Sequence, residues 1–443
     1  MSDSTLKNKY TSFFQKPDIH LWLFAAIMLS GLVVRLCFSA TVPWGSYQHD
    51  VGGDLGHKAV IEYIAGHLRL NSETNSWQYS HPQLHYIICA VVYRIAQLFS
   101  SDINVIMSAI ETFCVFASMI SVFAVYKTLL YLFKDKTAVL FGTFLYTFMP
   151  SNILMSRYLN NDSTLIVFTN LSIMFAVKWY KTKKISALLL TALLAAFAMS
   201  SKASGIILIP ILGLLFLFSL AKERFTKENI LLYLRNFGTF LLVFIPLPAY
   251  IFGRMYVLFN QPLGFISTPG GLPETGSPLS GFYFPLNMLE NPFAIDPFAE
   301  NIKDLIHYPE YLLKTALFGE FRHSSEKILL ARIVIVLAIV LLAAGTAFCI
   351  YRVFSGKIHD FPIAIFIAAG VLIPVIFHIG ACISLPYACT FNYRYLAPFM
   401  VFTVIILTRA FIFASKKGAV LRYLSAAFLL TFAISSSLFY LYF

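Results

Sequence analysis

Apolar residues recur along the chain in stretches of about twenty, and short polar segments separate them. Examples are Leu21–Ala40, Leu231–Phe252 and Ile328–Ile350. A helix of this length crosses about 30 Å of hydrocarbon. Because lipid offers no hydrogen-bond partner to a peptide group, helices are the expected spanning elements. The pattern predicts an all-α polytopic membrane protein in which residues 1–443 form a single transmembrane domain.

Basic residues fall in short clusters between the apolar stretches, as is typical of loops that face the cytoplasm. With all of these clusters inside, the sequence predicts eleven spans, an inner amino end and an outer carboxyl end. The clusters are Lys7/Lys9/Lys16, Lys127/Lys134/Lys136, Lys178/Lys181/Lys183/Lys184, Lys222/Arg224/Lys227, Arg352/Lys357 and Lys416/Lys417/Arg422. The predicted spans are approximately 20–40, 104–126, 138–156, 163–179, 185–200, 204–221, 230–252, 328–351, 361–384, 394–414 and 421–441.

One apolar segment, Leu84–Phe99, does not fit this count. Treating it as a span would move the following loops to the side that their flanking lysines forbid. The segment is short and carries His85 and Arg94, which a full span would bury at a cost of several kcal/mol. We therefore expect it to lie along the membrane surface or to enter and return. The alternative is a true hairpin partner combined with one misplaced basic cluster.

Two long segments face outward in this topology. Residues 41–103 form the first outer loop, with helices beside the membrane, and residues 253–326 form a long outer flap. The flap is rich in proline and glycine between Pro262 and Pro278, which predicts an irregular segment and not a second folded domain.

Composition supports the membrane assignment and excludes other classes. The chain is 58% hydrophobic and 12% charged, with a net charge of +12 and a mean hydropathy of +0.75. Soluble domains carry about 25% charged residues. Because the positive charge is confined to short clusters between spans, we expect no nucleic-acid partner. Six scattered cysteines have no metal-like spacing, and only Cys382 and Cys389 flank one loop closely enough to suggest a disulfide as an alternative to packing.

Acidic and histidine residues in the first outer loop are the first candidates for chemistry. Asp50, Asp54 and His57 are spaced i, i+4 and i+7, so in a helix they would share one face. Intervening glycines weaken that helix and suggest backbone close to a ligand. A carboxylate there is a reasonable general base for an acceptor hydroxyl, and His81 follows later in the loop. The alternative is a solvated polar loop.

A second acid, Asp162, lies directly between two predicted spans, after Arg157. It is either an N-cap of the following helix or a functional group on the same side as Asp50. Cations lie on that side too, and Lys202 and Arg394 at helix ends are suited to hold a phosphate. Their alternative role is snorkelling to the membrane interface. The sequence has no nucleotide-binding loop, HExxH or GxSxG motif, so a nucleotide-sugar substrate has no obvious pocket.

Together these segments resemble the multi-spanning GT-C glycosyltransferases that use polyprenyl-phosphate sugars, in the branch of the protein O-mannosyltransferases and the lipid A aminoarabinose transferase. The matching segments are His49-Asp50, His81-Pro82-Gln83-Leu84, Arg157 to Asp162, Lys202, Leu317-Phe318-Gly319-Glu320-Phe321 and Arg394-Tyr395-Leu396-Ala397-Pro398. The resemblance departs from the family pattern at Gln83, where a second proline is usual, and at Val51, where an acid is usual, so Asp54 competes with Asp50 as the base.

The resemblance implies a catalytic base at Asp50, a second catalytic acid at Asp162, and a phosphate site at Lys202 and Arg394. Asp54, His57, His81 and Arg157 are the further substrate-binding candidates. The expected reaction is a single displacement with inversion at the outer face of a bacterial plasma membrane. The acceptor, a glycolipid, protein or cell-wall polymer, stays open, as does a divalent metal ion. A transporter or flippase of a lipid-linked or anionic solute is the alternative, since it too needs membrane carboxylates and arginines.

Overall fold

The protein is helical throughout the part that the structure, a computed structural model, describes: residues 19–48, 50–53, 56–70, 77–263, 272–293, 295–356 and 360–442. These residues contain no β-strand, only an isolated bridge between Glu274 and Tyr387. The helices are α1 (Ile19–Thr41), α2 (His57–His67), α3 (Leu84–Gln97), α4 (Ile103–Leu132), α5 (Lys136–Thr147), α6 (Pro150–Leu154), α7 (Asp162–Thr182), α8 (Ile185–Ser201), α9 (Leu208–Lys222), α10 (Lys227–Phe244), α11 (Pro246–Phe259), α12 (Ile302–Leu305), α13 (Tyr308–Phe318), α14 (Ile328–Phe354), α15 (Phe361–Ser384), α16 (Met400–Ser415) and α17 (Ala419–Leu441).

Eight helices are long and apolar enough to cross a membrane, and the number rises to ten if two bent pairs each count as one span. The bends are 59° between α5 and α6 and 47° between α10 and α11. A proline begins the second helix of each pair, Pro150 and Pro246, where its missing N–H group is tolerated. Ten of the eleven predicted spans coincide with these helices and bent pairs. The remaining predicted span is α8, which has 17 residues and a length of about 25 Å.

Close packing around α7 forms the centre of the molecule. Helix α7 packs against α4 and α8, and it buries residues on most of its circumference. Neighbouring helices approach closely where small residues face them: a side chain at Gly370 of α15 would lie 2.3 Å from the ring of Phe402 in α16. At the periphery, apolar side chains such as Leu329, Val353 and Phe354 are exposed, as expected of a surface in contact with lipid.

The first loop and the flap both fold against this bundle. Helices α2 and α3 pack together around Val60, Ile61 and Tyr86. Helix α3, the apolar segment that did not fit the span count, has 14 residues and is too short to be counted as a span. In the flap, α12 and α13 pack on the end of α15, and the backbone N–H of Thr275 donates to the carbonyl of Pro386 at 2.5 Å.

Cys382 and Cys389 are free thiols, so the alternative of a disulfide between them is wrong.

Candidate functional site

Polar residues from five distant segments meet at one end of the helical bundle. A buried ion pair fixes two of these segments: Arg157 Nη2 lies 2.6 Å from Glu111 Oε2, and both side chains are 1% exposed. The same nitrogen donates to the carbonyl oxygens of Val42 and Pro43. Gln48 donates to Glu111 and accepts from the backbone N–H of Leu159 at 2.6 Å. The start of the first loop is thereby held against the turn that precedes α7.

Asp162 begins α7 and is buried, and its carboxylate pairs with Lys202, which follows α8. The distance from Lys202 Nζ to Asp162 Oδ1 is 2.5 Å. The N-cap alternative for Asp162 is therefore wrong, because Asn161 occupies that position and Asp162 points to Lys202. Lys202 does not snorkel either. Burial lowers the pKa of Lys202, and the adjacent Asp162 charge opposes that shift.

Tyr395 joins Lys202 to the second cation of the site. The Lys202 ammonium lies 4.7 Å from the centre of the Tyr395 ring, and the Arg394 guanidinium lies 5.1 Å from the same centre. Arg394 Nη2 donates to the Tyr395 hydroxyl at 3.1 Å. Asn392 orients this turn by accepting from the backbone N–H of Arg394. Two positive groups thus share one aromatic ring beside the buried carboxylate of Asp162.

Three histidines, in α2, in the turn before α3 and in α3, are neutral at pH 7. The rings of His57 and His81 are parallel, with centres 6.2 Å apart. Burial lowers the pKa of His57 well below its ordinary value and that of His81 to about 4, and the charge of Lys202 lowers both further. His85 has its Nε2 atom 2.7 Å from the carbonyl oxygen of Leu159, which connects α3 to the turn before α7.

Asp50 lies in an irregular turn before α2, so Asp50 and His57 do not share a helical face, in keeping with the glycines between them. Its backbone is in the left-handed region, with φ of 52°, and its carbonyl oxygen accepts from the His57 N–H at 2.8 Å. Gly56 permits this turn, because a Cβ there would lie 2.3 to 2.7 Å from three carbonyl oxygens, of residues 50, 51 and 52. The Asp50 side chain is exposed, and no described residue forms a hydrogen bond with its carboxylate.

The charges of Asp50 and Asp162 both act on the hydroxyl of Tyr86 in α3. Burial raises the pKa of Tyr86 well above its ordinary value, and the charges of both Asp162 and Asp50 raise it further. The first loop therefore brings Asp50 into the electrostatic surroundings of Asp162. Asp54 lies outside the described residues, so its placement relative to Asp50 stays a prediction.

A fourth carboxylate, Glu320, was not among the candidate site residues selected from the sequence. It accepts a hydrogen bond from the Tyr311 hydroxyl at 3.0 Å. Burial raises the pKa of Glu320 to about 7, although the charge of Arg394 favours the ionised form, and the charge of Asp50 adds to the rise. Gly319, with φ of 69°, precedes it. The only signal in the sequence was the short segment around Gly319 that resembles bacterial members of the family.

Several buried polar atoms around Asp162 have no hydrogen-bond partner among the described residues. They are Asp162 Oδ2, Asn160 Nδ2, Asn161 Nδ2, Ser200 Oγ and Arg394 Nε. A buried polar atom without a partner costs about 1–3 kcal/mol. Such a concentration is typical of a place where a polar ligand binds. No group of three or more histidine, cysteine, aspartate or glutamate side chains within the described ranges is arranged to hold a metal ion.

Comparisons with known proteins agree with the fold. Residues 80–250 match the family described as dolichyl-phosphate-mannose-protein mannosyltransferase. The Archaeoglobus fulgidus oligosaccharyltransferase, in a complex with zinc and sulfate, is 14% identical; 94% of this chain and 53% of that chain are covered, with a TM-score of 0.55. No curated protein matches the sequence.

Two further solved structures are similar at lower TM-scores. The Saccharomyces cerevisiae protein O-mannosyltransferase complex bound to its sugar donor is 19% identical over 56% of this chain and 34% of that chain, with a TM-score of 0.40. ArnT from Cupriavidus metallidurans is 14% identical over 88% of this chain and 76% of that chain, with a TM-score of 0.41. The chain spans 34% to 56% of the length of the mannosyltransferase and oligosaccharyltransferase chains that it matches. The GT-C fold expected from the sequence is confirmed.

Proposed function

We propose that this polytopic membrane protein of GT-C fold transfers a sugar from a polyprenyl-phosphate donor to an acceptor hydroxyl, with inversion at the anomeric carbon. The observation that carries the proposal is the arrangement of Lys202 and Arg394, both within about 5 Å of the centre of the Tyr395 ring, with Lys202 paired to the buried Asp162. These cations lie at a helix end and in a short turn, where the headgroup of a membrane lipid can reach them.

The two cations are suited to hold the phosphate that leaves. As the bond between the anomeric carbon and the phosphate oxygen breaks, negative charge develops on that oxygen. Fixed positive groups in a partly buried site stabilise this charge more than water does. The pairing with Asp162 keeps Lys202 in place and leaves Arg394 as the stronger electrostatic partner, since a guanidinium also offers two parallel N–H donors to phosphate.

Asp50 is the proposed base. Its exposed carboxylate is available to accept the acceptor proton while the acceptor oxygen attacks the anomeric carbon. One C–O bond forms, the bond to phosphate breaks, the proton passes to Asp50, and the phosphate monoester departs. A single displacement of this kind inverts the configuration of the sugar. Asp54 remains the alternative base.

The remaining residues bind and position the substrate. The Oδ2 atom of Asp162 is available to accept a hydrogen bond from a sugar hydroxyl. His57 and His81, being neutral, add hydrogen bonds without opposing the cations. We assign Arg157 a positioning role through its pair with Glu111, which holds the first loop. The site faces outward across a bacterial plasma membrane in this proposal, where nucleotide sugars are absent and a lipid-linked donor is available.

The test is sugar transfer by the purified full-length protein in lipid vesicles. The donors are a panel of polyprenyl-phosphate hexoses and pentoses, and the acceptors are a membrane extract or, more slowly, water. Asp50→Asn is expected to reduce transfer about 10²–10⁴-fold, because general-base catalysis contributes a factor of that size. Donor binding should persist. Asp304→Asn, an exposed aspartate of the flap, makes the same charge change and should leave transfer unchanged.

Two outcomes would change the assignment. If Asp54→Asn abolishes transfer and Asp50→Asn does not, the base is Asp54. If both variants retain full activity, or if no donor in the panel is consumed by the unmodified protein, sugar transfer by this site is wrong.

A further inference from the structure

A groove of about 440 Å³ lies beside the proposed site, at the ends of three of the longest helices. Its size falls in the range of about 300–1,000 Å³ that small-molecule sites occupy. The groove is lined by the end of α1, by the loop that follows it, by the turn before α14 and by the end of α17. Its lining includes Phe38, Thr41, Tyr47, His323, Lys327 and Tyr440.

Aromatic faces form a large part of the lining. Phe38 and Tyr440 meet edge to face with centres 5.0 Å apart, and Tyr47 stacks in parallel on His323 at 4.8 Å. Aromatic rings of this kind offer an apolar surface with polar groups at its edge. A sugar ring has the matching character, because its C–H face is apolar while its hydroxyls lie around the rim.

His323 supplies a hydrogen-bond acceptor. Its Nε2 atom is 3.1 Å from the carbonyl oxygen of Phe318, so in the neutral ring Nε2 carries the proton and Nδ1 holds a lone pair. Burial lowers the pKa of His323 to about 4, so the ring is neutral at pH 7. No described residue donates a hydrogen bond to the buried Nδ1 atom. A ligand hydroxyl is the kind of donor that completes this ring.

Lys327 is the only charged side chain among the described lining residues, and none of them is acidic. Its ammonium lies over the ring of Phe439, 5.4 Å from the centre, and donates to the Phe439 carbonyl oxygen at 3.3 Å. An ammonium in an aromatic setting favours a ligand that brings a negative group, because a charged hydrogen bond is about twice as strong as a neutral one.

Tyr47 connects the groove to the loop that carries the proposed base. This residue lies three positions before Asp50 in the same loop, and its ring meets that of Phe321 at 5.7 Å, directly after Glu320. A ligand in the groove is therefore adjacent to the segment that carries the proposed base.

We infer that this groove binds the acceptor, and that the acceptor is an acidic saccharide and not a polypeptide. Identifying the ligand as the acceptor rests on the proposed function, but the binding of the saccharide does not require catalysis. A sugar ring packs against the aromatic lining around Tyr47, a hydroxyl donates to His323, and a carboxylate or phosphate group of the saccharide meets Lys327.

The test is direct binding to the full-length protein in nanodiscs without donor. The probes are an oligosaccharide of hexuronates, a neutral hexose oligosaccharide of the same length and a serine- and threonine-rich peptide, measured by calorimetry. The acidic oligosaccharide is expected to bind most tightly. Lys327→Met should weaken its binding about tenfold, which corresponds to about 1.4 kcal/mol, and should leave the neutral probe unaffected.

Two further variants and one control complete the design. His323→Phe keeps the stack on Tyr47 but removes the acceptor nitrogen, and should weaken both oligosaccharides. Thr41→Trp places a large ring in the groove and should abolish binding of both. Lys417→Met is the matched control, because Lys417 lies over the Phe413 ring at 5.4 Å in the same way but does not line the groove. Thermal unfolding of each variant confirms that it is folded.

The inference is overturned if Lys327→Met and Thr41→Trp bind the acidic oligosaccharide as tightly as the unmodified protein does. It is also overturned if the peptide binds more tightly than either saccharide. A failure of the proposed function is distinguishable, because it would leave saccharide binding and its dependence on Lys327 intact while no donor is consumed.

Discussion

Neutralising either partner of the buried Asp162–Lys202 pair tests the centre of the site most directly. Lys202→Met keeps the length of the side chain and removes its charge, and Asp162→Asn keeps the shape of the carboxylate. The two side chains are 10% and 1% exposed, and the charged atoms are 2.5 Å apart. Each single variant therefore leaves one buried charge without its partner.

The expected loss of stability follows from two opposing terms. At an effective dielectric constant of about 20, charges at this distance attract by about 7 kcal/mol. Removing both from water offsets much of that gain, so the intact pair contributes little net stability. Removing one partner, however, leaves an uncompensated charge and costs about 3–5 kcal/mol. The double variant Asp162→Asn/Lys202→Met has no such charge and should be within about 1 kcal/mol of the unmodified protein.

The assay is equilibrium unfolding in mixed detergent micelles, followed by intrinsic fluorescence, for the four members of the cycle. Lys58→Met is the control, because Lys58 pairs with Glu62 at 3.5 Å on an exposed helix surface, with side chains 26% and 34% exposed. That pair should contribute at most about 0.5 kcal/mol. Single variants that lose less than about 1 kcal/mol, or losses that simply add in the double variant, would refute a buried and coupled pair.

Three further perturbations probe the surroundings of the site. Gly56→Ala forces a methyl group against three backbone carbonyl oxygens and should reduce sugar transfer about 100-fold by displacing the base, whereas Gly52→Ala, with open space around it, should have no effect on the rate. His85, whose pKa burial lowers to about 4 from an ordinary 6.5, takes up a proton more readily when unfolded. Stability should therefore fall as the pH drops from about 6.5 to 4, and thermal unfolding of His85→Gln should lack that part of the pH dependence. Arg157→Met leaves Glu111 charged and buried, and should cost about 3–5 kcal/mol in unfolding measurements; an unchanged stability would contradict a positioning role for the pair.

Much of the fold was predictable because hydropathy is a local property. The predicted span at 104–126 lies inside α4, and the predicted span at 361–384 coincides with α15. Predictions of helix boundaries from the sequence were less reliable where glycine or proline interrupts a segment. The apolar run from 138 to 156 indicated one span but contains a bend at Pro150. Asp50 and His57 are spaced as they would be on one face of a helix, but the helix begins only at His57.

The candidate site was predictable only in part. The sequence placed Asp50, Asp162, Lys202 and Arg394 on one side, because charged groups in an apolar chain collect at the ends of spans. It gave no means of selecting Glu111, and for Glu320 it gave only the short matching segment around Gly319, because both residues acquire their roles from partners elsewhere in the chain. Nor did it indicate that both cations lie against the ring of Tyr395.

The sequence by itself determined that the protein is a bundle of apolar helices with its acids and cations at helix ends, since transfer of each segment into lipid depends on that segment's own residues. Only the tertiary structure decided which charges meet. Asp162 reaches Lys202 across 40 positions and Arg157 reaches Glu111 across 46, because helix packing fixes these distances and no local pattern encodes them.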